Sequence, residues 1–346
     1  MTSDKKIRVG ISMGDLNGIG SEIILKSFED QRMFDFCTPI VYGSFKLMTF
    51  FKRHFSSKVN LFECKNIKNI SPNKMNVVNV WRDSVPVNFG QEDQEIGKFA
   101  IKSLKASVNA LKNRDIDVLV TAPINKFNSQ ADDFKFPGHT DYLAHELEGE
   151  SLMFMVADAL KVGLLTDHVP VAEVPQHITK ELIKSKIETI TKSLKQDFRI
   201  TKPKIAVLSI NPHAGDQGVI GNEDDELLKP TLEEFRNQNQ LVYGPYAADS
   251  FFGNKTYEKF DAIIASYHDQ GLIPFKTITF SEGVNYTAGL SRIRTSPDHG
   301  TAFEIAGKGV ADESSFKKAI FMAIQIYKNR SEYQYYAKQP LAVHKE

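Results

Sequence analysis

The stretch AIIASYHD, residues 262–269, is four apolar residues that stop abruptly at a polar corner carrying an imidazole and a carboxylate. The same arrangement recurs along the chain. IRVGIS (7–12) runs into Met13-Gly14-Asp15, and IDVLV (116–120) into Thr121-Ala122-Pro123. Residues 162–165 run into Thr166-Asp167-His168, and IAVLSI (205–210) into Asn211-Pro212-His213. Apolar runs without alternation are what strands of a parallel sheet require, because helices cover both of its faces. The segments between them carry a helical period. In 93–113, Ile96, Phe99, Ala100, Leu104, Val108 and Leu111 form one stripe; in 178–196, Ile178, Leu182, Ile183, Ile187 and Ile190 form another. A later surface helix is expected over 313–328. Strands alternating with helices predict an α/β fold.

Composition narrows the function. A chain of 346 residues fits two domains of ordinary size. Hydrophobic residues at 41% and charged residues at 25% suit a folded protein rather than a disordered one. Lys+Arg and Asp+Glu are both 43, so no global field attracts nucleic acid or an anionic membrane, and neither is expected as a partner. Two cysteines, Cys37 and Cys64, cannot build a disulfide framework or a cysteine zinc site. No run approaches the roughly 20 apolar residues of a membrane helix, and MTSDKKIRVGIS passes directly into a strand without an apolar signal region. A cytoplasmic protein is the expectation.

In open parallel sheets the reactive groups gather beyond the carboxyl ends of the strands. Three of the nine histidines, His168, His213 and His268, stand there, each within a few residues of an apolar run. Three neutral imidazoles with an open position make a catalytic divalent-metal set, zinc foremost. For one such histidine alone, a loop cap or a satisfied hydrogen bond explains it better; the shared topological position is what favours a metal. Asp269 and Asp249 are candidates to orient a ligand imidazole, with helix capping the alternative for Asp249. The corner FPGHT (136–140) offers His139 and Thr140, and Lys276, Asn285 and Arg294 follow His268 within 26 residues. An Arg fork with a Lys point charge suits phosphate or carboxylate; solvated surface charges are the plainer alternative. His54, His145, His177 and His344 read as surface or packing residues.

Two glycine-rich elements stand out. GDLNGIG (14–20) follows the first strand but matches neither the Rossmann nor the P-loop pattern. It signals a close backbone approach or a turn needing positive φ. DHGTAFEIAGKG (298–309) combines small side chains with a hydroxyl and a lysine, a loop able to wrap a nucleotide.

Several blocks are specific enough to compare with a family: SMGDLNGIGSE, TAPINK, FPGHTDYLA, LTDHVPVAEV, INPHAGDQGVIGNEDDE, GPYAADSFF, and the uninterrupted 267–309. On them the chain resembles, over nearly its whole length, the 4-hydroxythreonine-4-phosphate dehydrogenase family of pyridoxal phosphate (vitamin B6) biosynthesis. DHGTAFEIAGKG also looks like the nicotinamide-cofactor loop of the related isopropylmalate dehydrogenases. The resemblance implies two α/β/α domains with a cleft between them, isopropylmalate-dehydrogenase-like and without the standard Rossmann fingerprint. Residues 1–133 with 300–346 would form the cofactor-side domain. Residues 134–299 would form the metal and substrate side and the dimer interface.

It further implies that His168, His213 and His268 are metal ligands, the metal being zinc, cobalt, magnesium or manganese. His139, Thr140, Lys276, Asn285 and Arg294 are then substrate contacts, and Gly300, Thr301, Gly307 and Lys308 lie in the loop for NAD or NADP. Asp269 and Lys276 are the catalytic candidates, with a metal-held water as a further choice of base. The implied reaction is oxidation of 4-phosphooxy-L-threonine, a small phosphorylated hydroxy amino acid, at C3. Decarboxylation to 3-amino-2-oxopropyl phosphate follows. The implied assembly is a homodimer with the active site at the subunit interface, so that the three histidines need not come from one chain. A paralogue acting on 4-phospho-D-threonate or 4-phospho-D-erythronate carries almost the same motifs. Leu16, Ser21, Asp167, Ala288 and Ser291 depart from the commonest family pattern, which bears on substrate selectivity.

Overall fold

The computed structural model describes residues 6–129, 134–136, 138–280 and 282–338. Pro137 of the FPGHT corner and His344 lie outside them. The chain forms two compact units, 1–149 with 290–324 and 150–289 with 325–346. Its strands, in chain order, are β1 (Ile7–Ser12), β2 (Cys37–Gly43), β3 (Leu61–Cys64), β4 (Met75–Asn79), β5 (Val118–Thr121), β6 (Gly149–Val156), β7 (Lys161–Leu164), β8 (Ile205–Leu208), β9 (Val242–Tyr246), β10 (Ala262–Ala265), β11 (Val284–Leu290) and β12 (Arg294–Pro297).

In the first unit the strand order is β3-β4-β2-β1-β5-β12. The pairs β1–β2, β1–β5, β2–β4, β3–β4 and β5–β12 are all parallel. The uniform apolarity of β1 and β5 is thereby explained, since nearly every residue of both strands is buried. The helix Gln94–Lys112 covers one face. Asp93 caps it, its Oδ1 accepting from the amides of Glu95 and Ile96, and Ile96, Ala100, Leu104, Val108 and Leu111 turn inward. The expected stripe is the observed one, except that Phe99 faces Trp81 with ring centroids 5.1 Å apart.

The helix His139–Glu146 belongs to this unit. Phe134, Tyr142, Leu143 and Leu147 join a core made with Leu104, Val108 and Leu119. The units divide at 149/150, 289/290 and 324/325, where the sequence suggests 133/134 and 299/300 and keeps all of 300–346 in the first domain.

The second unit has the order β11-β6-β7-β10-β8-β9. β10 runs parallel to β7 and β8, β9 runs parallel to β8, and β6 makes an antiparallel hairpin with β7. The helix Lys180–Gln196 starts where Thr179 Oγ1 accepts from the Leu182 amide, and it buries Ile183, Ile187, Ile190 and Leu194.

The last helix, Ser314–Lys338, runs ten residues beyond its expected end at 328. Its second half is held by a buried polar cluster. Asp197, 1% exposed, accepts from Arg330 Nε at 2.8 Å and Nη2 at 3.1 Å, from Tyr286 Oη at 2.7 Å and from Ser193 Oγ at 2.9 Å, while its carbonyl accepts from Asn329 Nδ2 at 2.6 Å. A buried carboxylate is tolerated only when so paired. Both cysteines are free and buried. Among the described residues no helix is long and apolar enough to cross a membrane.

Candidate active site

The corners after β7, β8 and β10 are laced together by side chains. Thr166 Oγ1 donates to the Ser266 carbonyl at 2.8 Å, and the Leu165 amide to the Ala265 carbonyl at 2.9 Å. Ser266 Oγ and Gln270 Nε2 both donate to the Ser209 carbonyl, at 3.2 and 2.7 Å. His168 and His268 each stand two residues beyond the Thr166–Ser266 bond, and this brings their rings side by side, centroids 6.1 Å apart.

The acids beside the two histidines act differently: Asp269 holds the ring of His268, while Asp167 holds the backbone at His168. Asp269 Oδ1 lies 2.8 Å from His268 Nδ1. A carboxylate can only accept, so Nδ1 carries the proton and Nε2 keeps the lone pair a cation needs. Asp167 Oδ1 accepts from the His168 backbone amide at 2.8 Å. Asp249, by contrast, sits exposed inside the first turn of the short helix Ala248–Gly253 and caps nothing.

His213 occupies a loop of unusual backbone. His213, Ala214, Asp216 and Gln217 all have positive φ, between 44° and 56°. Such conformations cost a non-glycine residue energy and persist only when the surroundings impose them. Asp224 anchors the residues that lead into the loop. Fully buried, it accepts from the amides of Ile210 and Asn211 and from Asn211 Nδ2. The loop is thus built to present an exposed His213, yet it does not add His213 to the other two. Among the described residues of one chain, no three His, Cys, Asp or Glu side chains are grouped to hold a metal. The pair His168–His268 fits two positions of a divalent-metal set.

On the first unit the anion-binding candidates converge differently. Arg294, at the start of β12, is 2% exposed. Its Nε and Nη2 both donate to Thr121 Oγ1, at 3.0 and 2.6 Å. Burial pushes its pKa down to about 9. His139 Nε2 is buried without a hydrogen-bond partner. Burial first, then the charges of Arg294 and Lys126, hold the His139 pKa well below the imidazole range, so the ring is neutral near pH 7. Thr140 is buried beside it in the first turn of the helix His139–Glu146. A buried guanidinium and an orphaned imidazole nitrogen are the features an anionic substrate would satisfy. Lys276 and Asn285 belong to the second unit. Lys276 is exposed in the last turn of His268–Ile278, and Asn285 Oδ1 is buried without a partner.

The two glycine-rich elements meet. The Ile19 amide donates to the Thr301 carbonyl at 3.0 Å, and Lys26 Nζ to the carbonyls of Gly309 and Ala311. Glu22 Oε1 accepts from the Ala311 amide. Gly14 has φ +69°, and a Cβ there would lie 2.3 Å from the Pro123 carbonyl, so the first loop needs both the positive φ and the close approach. Gly300, Thr301, Gly307 and Lys308 therefore sit in a loop anchored to the first helix. Asp15 is buried in the same place, accepting from the Asn17 amide and Asn128 Nδ2; burial raises its pKa.

A family model described as pyridoxal phosphate biosynthetic protein PdxA matches residues 35–323. The chain belongs to the PdxA family. Among curated PdxA-like relatives, a 4-hydroxythreonine-4-phosphate dehydrogenase of Bacteroides thetaiotaomicron is 47% identical over 329 residues, 94% of this chain and 90% of the relative. A D-threonate 4-phosphate dehydrogenase of Cupriavidus necator is 35% identical over 328 residues, 93% of this chain and 98% of the relative. The crystal structure of a 4-hydroxythreonine-4-phosphate dehydrogenase from Klebsiella pneumoniae superposes with a TM-score of 0.77 at 30% identity, covering 93% of this chain and 98% of that one. Membership of the PdxA family was legible in the sequence. Thr121, by contrast, lies in the TAPINK block without any local sign that it would hold Arg294.

Proposed function

We propose that this protein oxidises 4-phosphooxy-L-threonine at C3, passing hydride to NAD or NADP, with decarboxylation to 3-amino-2-oxopropyl phosphate. The observation that carries this reading is the His168–His268 pair, with Asp269 on Nδ1 of His268, in a chain of the PdxA family. A divalent ion held there supplies Lewis acidity at the substrate hydroxyl, and the nicotinamide accepts the hydride. The chain's own residues bind and orient. Arg294, fixed by Thr121, and the neutral His139 with Thr140 take anionic oxygens of the substrate; Lys276 and Asn285 are further contacts. Asp269 is engaged with His268 and acts as its orienting partner, which leaves Lys276 as the side-chain candidate for proton transfer. The loop carrying Gly300, Thr301, Gly307 and Lys308 receives the cofactor.

The third metal ligand, His213, is assigned to a second copy of the chain. Exposed apolar side chains on the second unit support a homodimer: Phe280 is 84%, Val219 81% and Ile273 64% exposed. Complementation tests the sharing. The variants His213→Ala and His268→Ala, each inactive alone, should recover about a quarter of wild-type activity when co-refolded, because half the dimers are mixed and each mixed dimer keeps one intact site. No recovery would place all three ligands in one chain and remove the shared site.

The activity itself is read from absorbance at 340 nm with NAD and NADP, with and without added zinc, cobalt, magnesium or manganese. The Cupriavidus necator relative supports a second reading, oxidation of 4-phospho-D-threonate, with 4-phospho-D-erythronate as a close analogue. The same assay with those substrates separates the two. Silence with all three would reject both.

A further inference from the structure

His54 is exposed and packed among aromatic rings, as the sequence suggests, and its ring is in addition tied to the second glycine-rich loop. It ends the helix Phe45–His54, and its Nε2 lies 2.8 Å from the Gly307 carbonyl oxygen. A carbonyl can only accept, so Nε2 carries the proton and donates. The ring is gripped by aromatic neighbours: Phe89 with centroids 4.8 Å apart, Phe55 at 4.8 Å edge-on, and Phe50 at 6.0 Å stacked. Phe89 closes the other side of the same turn. Gly307 has φ +77°, and a Cβ there would fall 2.5 Å from Phe89 Cγ. The turn is thus left-handed, lacks room for a side chain and has one donor aimed at its carbonyl. The nearby ties act elsewhere in the loop, at Thr301 through Ile19 and at Gly309 and Ala311 through Lys26.

We propose that His54 is a positioning residue for the cofactor: its Nε2–H bond to Gly307 holds the turn before Lys308 in its binding shape. The inference rests on the reading of this loop as the NAD(P) loop. It gives that loop a determinant from outside itself, on a different helix, which acts on cofactor affinity and not on the chemical step. A preformed loop binds without first ordering.

The test uses the full chain with NADH as the probe, followed by fluorescence, together with steady-state kinetics and hydrogen exchange of residues 302–310. His54→Phe keeps an aromatic ring and removes the donor. Its KM for the cofactor and its Kd for NADH should rise about fivefold, from the loss of one hydrogen bond, with kcat within about twofold and faster exchange in the loop. His54→Gln, which keeps an amide donor, should restore most of the affinity. Lys308→Ala separates the two layers of the argument. If Lys308→Ala weakens NADH binding while His54→Phe leaves KM, Kd and loop exchange unchanged, the role of His54 is overturned and the cofactor loop stands. A lowered melting temperature with unchanged KM also overturns it, as a purely structural effect. If the wild-type chain binds neither NADH nor NADPH, both ideas fall.

Discussion

Arg294 and Thr121 share one oxygen: Nε and Nη2 of the guanidinium both donate to Thr121 Oγ1, at 3.0 and 2.6 Å. Two donors on one hydroxyl fix the plane of the guanidinium. Thr121 ends β5 and Arg294 begins β12, neighbouring parallel strands, so the sheet sets their separation. Thr121→Val keeps the β-branched shape and removes the oxygen. We expect the substrate KM to rise at least about tenfold, since both bonds to the charged guanidinium are lost and even one such bond is worth about 1.5–3 kcal/mol, with little change in kcat. An unchanged KM would mean that Arg294 needs no such support.

The lowered pKa of Arg294 has a consequence in pH. Its cause is burial, which disfavours the charged form, and the value is about 9. The group is therefore cationic below that pH and loses its charge above it. Because anion binding uses the cationic form, the substrate KM should be level up to about pH 8 and then climb, approaching tenfold per unit beyond about pH 9. A KM level to pH 10.5 in a chain that stays folded would mean that Arg294 does not lose its charge over this range, and the pH argument would fall.

Asp269→Asn tests the orientation of His268. The amide can still occupy the space, but it no longer accepts with a full charge and can turn its NH2 group toward Nδ1. Affinity for zinc or cobalt, measured by competition with a chromogenic chelator, should fall about 10- to 100-fold. Metal affinity equal to wild type would make Asp269 a bystander.

The buried ion pair between Asp197 and Arg330 should dominate the stability of the second unit. Asp197→Ala leaves the buried Arg330 guanidinium without its counter-charge, at a cost of about 3–5 kcal/mol. The urea midpoint should drop markedly. Removing the exposed Asp30 from its pair with Arg32 should leave the midpoint where it was.

Phe280→Glu places a charge where an apolar side chain of the second unit is 84% exposed. Sedimentation should show a shift toward monomer, with activity falling in proportion. A dimer of wild-type affinity would move the subunit contact elsewhere.

Parts of this molecule are local enough to read from residue order. The runs at 7–12 and 262–265 became β1 and β10 with unchanged limits, and 116–120, 162–165 and 205–210 differ from β5, β7 and β8 by one or two residues. The strand Cys37–Gly43 shows the opposite case. Pro39 interrupts it, and a proline argues against a strand from sequence alone, although this strand lies buried between β1 and β4. The last helix extends to Lys338 because Asn329 and Arg330 find Asp197, 133 positions away from Arg330 in the chain.

What the residue order determined by itself is the set of parts: apolar runs, amphipathic helices, histidines at strand ends, glycine loops and the family they belong to. Their period and spacing follow from backbone geometry that every short segment carries within itself. Only the tertiary structure decided the partnerships: His168 with His268 but not His213, Thr121 under Arg294, and His54 on Gly307. Those pairings join residues 100 or more positions apart. They depend on which strands lie side by side and which side chains burial leaves in need of a partner, and no local pattern encodes either.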